Sequence, residues 1–271
     1  MNAAAIPAPV RRQAEDLSSV VPEPPPELGI RRIVTERYCL FATPMPSLTF
    51  VDALRLTEAE LDETIDEVRS TLRKMGRSQA LWSVGTSARP EGLADLLAER
   101  GMTPYDDPPL EPTGNCMAIV EPPRVGALPD IEIQLADTIE RLREAEEVES
   151  KAFGIADEDR RGLQSVIEAR LRLQQENRTV LRQWVAYIDA EPVGTGRGMF
   201  LADGINLSGA AVLPSARGRG VYRALIGHRW QDAVARGTPA LTVQAGAMST
   251  PILEQLGFVT VARTVHLRDR F

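Results

Sequence analysis

The stretch from residue 211 to residue 226 constrains this chain more than any other. An apolar strand ends at Pro214, a loop of small and basic residues follows, and an apolar helix begins near Gly220. Gly218 and Gly220 let the backbone turn so that successive N–H groups point into one concavity. That concavity opens on a helix N-terminus, where unpaired N–H groups and a partial positive charge favour a phosphate. Arg217 and Arg219 add formal charge at the same place. The run reads as a cradle for a pyrophosphate.

Composition narrows the classes of partner. The 271 residues are enough for one large domain or two modest ones. Acidic side chains outnumber basic ones, 38 to 31, for a net charge of −7. This balance argues against nucleic acid as the main partner and suits a cationic, amine-type substrate. No apolar run approaches the ~20 residues of a membrane span, and no apolar stretch follows Arg11 and Arg12 to make a secretory signal. A cytoplasmic protein without a membrane segment is expected. Cys39 and Cys116 stand far apart with no His/Cys cluster, so no metal site is expected and both thiols should be reduced and buried.

Along the chain, residues 1–29 are rich in Ala and Pro and are expected to be extended or disordered. A first unit is read over 30–121, with strands at 37–42, 80–84 and 115–120 and helices at 57–75 and 90–100. Thr57 and Glu60 form a capping-box pattern, and Gly101 is a stop signal. A linker is placed at 122–130. The second unit, 131–271, opens with a strand at 131–135, then helices at 137–153 and 159–177. Strands at 183–189, 193–201 and 206–213 precede the loop. A helix to about 236, a strand at 240–245, a helix at 250–256 and two strands, 258–262 and 264–268, complete it. Alternating strands and helices imply an α/β or α+β layer.

This order, with Val212-Leu213-Pro214 before Arg217-Gly218-Arg219-Gly220 and with Leu256-Gly257-Phe258 further on, resembles the GNAT family of acyl-CoA-dependent N-acyltransferases. The resemblance covers about residues 131–271. It implies a mixed, mostly antiparallel sheet flanked by helices, preceded here by a smaller, degenerate GNAT-like repeat without a second cofactor. It also implies acetyl-CoA as co-substrate and transfer by direct attack of a primary amine, borne by a small molecule or by a protein or peptide. Backbone groups of Ala211, Val212 and Leu213 would pair with the pantetheine arm. Those of Arg217, Gly218, Arg219, Gly220, Val221 and Tyr222 would hold the pyrophosphate. Two positions depart from the pattern: Tyr222 replaces a small residue, and Leu253 stands where many members carry a proton-donating tyrosine. The alternative implied by Leu253 is a non-catalytic acyl-CoA-binding module.

Other residues are weighed from their spacing. Glu149 falls near the centre of the apolar stripe Ile139, Leu142, Ala145, Val148, Ala152 and Phe153. Burial there makes Glu149 the best candidate for a general base, and it suits more readily still a structural carboxylate paired with an arginine or with backbone N–H groups. His228 with Asp232 one turn on, and His266 in a late strand, read more readily as packed histidines than as proton carriers. Ser208 and Ser249 have no defined base. The run Gly194-Thr195-Gly196-Arg197-Gly198 is followed by strand, not helix, so it is read as a bulge or a close backbone approach and not as a dinucleotide fingerprint. Tyr222, Ile226, Trp230 and Ala233 give the loop's helix a second apolar side, which either the first unit or a second copy in a homodimer must cover.

Overall fold

A computed structural model describes residues 2–105, 110–126 and 130–271. In chain order the elements are α1 (Ala8–Glu15), α2 (Leu17–Val20), β1 (Arg31–Val34), β2 (Cys39–Ala42), β3 (Thr49–Asp52), α3 (Leu61–Lys74), β4 (Gln79–Gly85), α4 (Leu93–Glu99), β5 (Thr103–Pro104) and β6 (Thr113–Ile119). Then come β7 (Glu132–Leu135), α5 (Ile139–Phe153), α6 (Asp157–Gln164), α7 (Ile167–Gln175), β8 (Leu181–Ile188), β9 (Glu191–Leu201), β10 (Gly204–Val212), α8 (Val221–Ala235), β11 (Leu241–Ala245), α9 (Thr250–Leu256) and β12 (Val259–Arg270).

All strands join one sheet in the order β1-β2-β3-β4-β12-β6-β11-β10-β9-β8-β7, with β5 beside β12. The order has an approximate internal symmetry. Each half contains one parallel pair joined by a crossover helix: β3 and β4 through α3, β10 and β11 through α8. The halves then trade their last strands. β6, from the first half, pairs with β11, while β12, from the second, pairs with β4. β6 and β12 also pair with each other. The mixed, mostly antiparallel sheet and the partial repeat expected from sequence are present, and the exchange stitches the two units into one sheet.

Strand alternation sorts the two faces. Leu241, Val243 and Ala245 share a core with Val221, Leu225, Leu253 and Leu256 of α8 and α9. In the first half, α3 packs Leu61, Ile65, Val68 and Leu72, at helical spacing, on Leu40, Val51, Trp82 and Leu267. Each such fully buried aliphatic contributes about 1.5–3 kcal/mol. The opposite face carries α1 and α5.

Four expectations are corrected. Residues 1–29 are not an extended tail: α1 lies across the centre of the sheet, with Ile6 and Val10 against Ala118 and Ala240, and Ala14 against Cys116 and Ala262. Gln13 donates to the Thr242 hydroxyl at 2.9 Å. Proline is accepted in a helix's first turn, and the sheet supplies the apolar partner that the segment lacks by itself. The expected helix at 159–177 is two helices, α6 and α7. The two last strands are one, β12, whose register shifts between Thr260 and Ala262. β1 and β3, four residues each, were not anticipated. Of the linker, residues 127–129 lie outside the described residues.

The second apolar side of α8 is covered within the chain. Ile226 is fully buried and Trp230 is 8% exposed, and Val125 of the linker packs against Gly227. The glycine run of β9 serves close approach. A methyl on Gly194 would lie 2.5 Å from Val221, and one on Gly196 would lie 3.0 Å from the Arg229 guanidinium, so α8 settles directly on the strand. Both cysteines are free and buried, and burial pushes each thiol up to about 12. Among the described residues no helix is long and apolar enough to cross a membrane.

Candidate active site

Strands β10 and β11 pair for only three rungs, ending at Leu207↔Val243. Beyond that rung β10 follows β9 through a register shift between Ser208 and Ala211, while β11 stays with β6. The two parallel strands part, and a cleft opens at their carboxyl ends, where open α/β sheets present ligands.

After β10 the chain makes a tight turn at Pro214–Ala216 and enters the glycine loop. Gly218 and Gly220 have φ of +76° and +86°, the left-handed region that favours glycine. Gly220 is the N-cap of α8 and gives it no side-chain cap, and no acidic residue stands in the helix's first turn. The first N–H groups of α8 therefore have no partner within the helix. Arg217 and Arg219 are exposed, and neither forms an ion pair among the described residues. Tyr222 turns inward onto the core, and burial raises its phenol pKa, which keeps the larger side chain off the loop. Leu213 is less available: its N–H goes to the Val193 carbonyl and its own carbonyl accepts from Ala216, both at 2.9 Å.

On the α5 side of the cleft, Glu149 is 5% exposed. Both of its oxygens are held by Arg197, Nη1 donating to Oε1 at 2.7 Å and Nη2 to Oε2. Glu149 is therefore a buried carboxylate paired with an arginine. The pair lies against the bulge, since a methyl on Gly209 (φ +53°) would be 2.7 Å from Arg197 Nη1 and 3.1 Å from Glu149 Oε1. A second buried pair backs the first. Arg170 donates to Glu146 Oε1 at 2.9 Å and to Gln183 at 2.6 Å. Burial lowers the Arg170 guanidinium to about 10, with the Arg197 charge adding to the effect, and burial raises Glu146. Arg229, fully buried, donates to the Arg197 carbonyl at 2.8 Å and so ties α8 to the same strand.

The remaining candidates scatter. Leu253 is fully buried in the core. His228 is 3.9 Å from Asp232 and edge-on to Trp184, beside a cavity of about 500 Å³ lined by Pro122, Pro123, Val125, Ile131 and Ile133 on the outer side of α8. His266 is buried in β12 with Nδ1 donating to the Glu111 carbonyl at 2.8 Å, and burial lowers its pKa. Ser249 donates to the Gly246 carbonyl. Among the described residues no group of three or more His, Cys, Asp or Glu is placed to hold a metal. Sequence reasoning did not name Arg197 as the partner of Glu149, nor Arg229, which a lone arginine inside an apolar helix face could have flagged.

The acetyltransferase (GNAT) domain family matches residues 149–268. No curated protein matches the sequence. Among solved structures, a GCN5-related N-acetyltransferase from Kribbella flavida superposes with a TM-score of 0.65 at 18% identity, covering 98% of this chain and 96% of that one. A GCN5-related N-acetyltransferase from Sphaerobacter thermophilus gives 0.58 at 16% identity, covering 88% and 82%. A tandem GNAT protein from the clavulanic acid biosynthesis pathway gives 0.56 at 17% identity, covering 86% and 78%. Residues 149–268 thus match the GNAT domain family, and the chain as a whole has the fold of the tandem GNAT structures.

Proposed function

We propose that this chain transfers an acetyl group from coenzyme A to a primary amine by direct attack, with one acyl-CoA site, in the second unit. The observation that carries the reading is the uncapped, glycine-lined N-terminus of α8 set beside the parting of β10 and β11. The N–H groups of Gly218, Arg219, Gly220, Val221 and Tyr222 would hold the pyrophosphate, with Arg217 and Arg219 supplying charge. The pantetheine arm would run along the edge of β10 that β11 has left, pairing with Ala211 and Val212 as a strand would. Leu213 takes a smaller part than the sequence implied, since its N–H and carbonyl are engaged.

Carried this way, the thioester carbon comes to the bulge at Gly209. There the Glu149–Arg197 pair fixes the shape of the cleft wall. For Glu149 to accept a proton it would have to give up a bidentate ion pair, so we assign the pair a positioning role. The acceptor is an amine of the small-molecule or peptide class. The domain organisation that fits this reading is a first unit at about 30–121 that supports the second at 131–271.

One observation favours a second reading, an acyl-CoA-binding protein without turnover: Leu253 is a core residue of α9 and carries no proton. Titration with acetyl-CoA, followed by thiol release across a panel of primary amines, separates the two. Binding with thiol release supports transfer, and binding without release from any amine supports the second reading.

A further inference from the structure

The two lips of the cleft are each marked by a glycine, and each glycine leaves room for a carboxylate. On β10, two residues past the last rung, Gly209 makes way for Glu149 and Arg197. Just past the end of β11, three residues after the last rung, a methyl on Gly246 would lie 2.5 Å from Glu111 Oε1 and 3.1 Å from Oε2. Thr242 meets Gln13 and Gln244 meets Glu15 of α1, so this side of β11, which leads on to Gly246, is the face that also carries α5. Glu111 thus marks the β11 lip of the cleft as Glu149 marks the β10 lip.

The two carboxylates differ in their partners. Arg197 occupies both oxygens of Glu149. Glu111 accepts one backbone hydrogen bond, from Ala247 N–H to Oε2 at 2.8 Å, and has no ion-pair partner among the described residues. Its backbone is anchored, since the Glu111 carbonyl takes Nδ1–H of the buried His266. His266 in turn lies 3.2 Å from the Thr264 hydroxyl, and Gly114 leaves space for both side chains. The residue belongs to the first unit, just before the exchanged strand β6.

Resting on the transfer reading above, we propose that Glu111 is the general base for the acceptor amine, so that the first unit completes the active site of the second. An acceptor in the cleft arrives as an ammonium ion, attracted to a carboxylate that has no guanidinium partner among the described residues. Glu111 takes one proton from it, and the freed nitrogen lone pair attacks the thioester carbon. The N–C bond forms as the carbonyl electrons move to oxygen. They return as the C–S bond breaks, and a second proton passes from the new nitrogen centre to the departing thiolate, directly or through a water. The products are amide and CoA thiol, and Glu111 returns its proton to solvent. No tyrosine is required at position 253.

The test is the variant Glu111→Gln, whose amide oxygen still accepts from Ala247 N–H, compared with native chain and Glu111→Asp. Thiol release from acetyl-CoA is measured with a short alkylamine, a polyamine and a peptide with a free N-terminus. Glu111→Gln is expected to lower kcat/KM about 100-fold near neutral pH, to recover as pH approaches the amine's own pKa, and to leave the acetyl-CoA Kd unchanged, while Glu111→Asp recovers part of the rate. A Glu111→Gln rate within about threefold of native across pH overturns the proposal. So does a loss that is the same at every pH or that follows lost acetyl-CoA affinity or Tm, since that assigns Glu111 to capping alone. A native chain that releases no thiol with any amine overturns the transfer reading itself and this proposal with it.

Discussion

The crossovers β10–α8 and β3–α3 have the same topology and opposite chemistry. Both follow a strand that parts from its parallel neighbour within a few residues, after Leu207↔Val243 in one and Val51↔Trp82 in the other. At the first residues of α8 the cap is a glycine without a side chain, the loop cations are exposed, and no acid stands in the first turn. Ahead of α3, Thr57 and Glu60 form a complete capping box, with Glu58, Asp62 and Glu63 close by. Glu60 Oε2 accepts the Thr57 N–H and the Thr57 hydroxyl, both at 2.7 Å, and these bonds lower its carboxyl pKa. That helix already holds its anion, and a second one would meet repulsion. The chain's own residues also pair across the space where β3 and β4 part, and they line a cavity of about 410 Å³ there. Asp52 accepts Ser18 N–H, Arg55 spans Asp16 and Ser87, and Glu15 accepts the N–H and hydroxyl of Ser87. A shared backbone path thus leaves the choice of ligand to caps, charges and what lines the gap.

The comparison breaks first at the glycine cap. Gly220→Val puts a β-branched residue at φ +86°, a strain of about 1–3 kcal/mol, and is expected to weaken acetyl-CoA binding roughly 10- to 100-fold by calorimetry. Unchanged affinity would remove the loop from the binding site. Next, Asp52 ends β3 where Val212 ends β10. Burial raises Asp52 to about 7, so the folded state holds its proton more tightly than the unfolded chain does. Its contribution is present below the ordinary carboxylate pKa and is lost as pH rises through about 7. Relative to Asp52→Asn, the Tm of the native chain should fall between about pH 5 and about pH 8, and parallel curves would contradict this. Charge comes third. Replacing Arg217 and Arg219 together by Glu should weaken acetyl-CoA binding by about tenfold, more at low salt than at high salt. Smallest is Thr57→Ala, expected to cost about 1 kcal/mol of stability with no change in acetyl-CoA affinity. A change in affinity there would place ligand in the first unit.

What was legible in the sequence was local. The loop from Arg217 to Gly220 and the Thr57–Glu60 box each declare themselves within a few residues, and the structure keeps both. Glu149 was readable as buried from its stripe on α5, but its partner Arg197 lies two strands on and no spacing connects them. The strap α1 was illegible because its helix depends on docking over Cys116, Ala118 and Ala262, which only the assembled sheet supplies. β12 looked like two strands because Arg263 interrupts an otherwise apolar run; in the sheet that position is an exposed rung opposite Asn115. Glu111 carried no signal at all, since it reaches the cleft only through the strand exchange.

The central claim is that the chain has one acyl-CoA site, at the open crossover. Calorimetric titration of the native chain and of Gly220→Val with acetyl-CoA tests it most directly. One equivalent bound per native chain, with affinity lost in the variant, is the predicted result. Two equivalents per chain, or one whose affinity survives Gly220→Val, would contradict it.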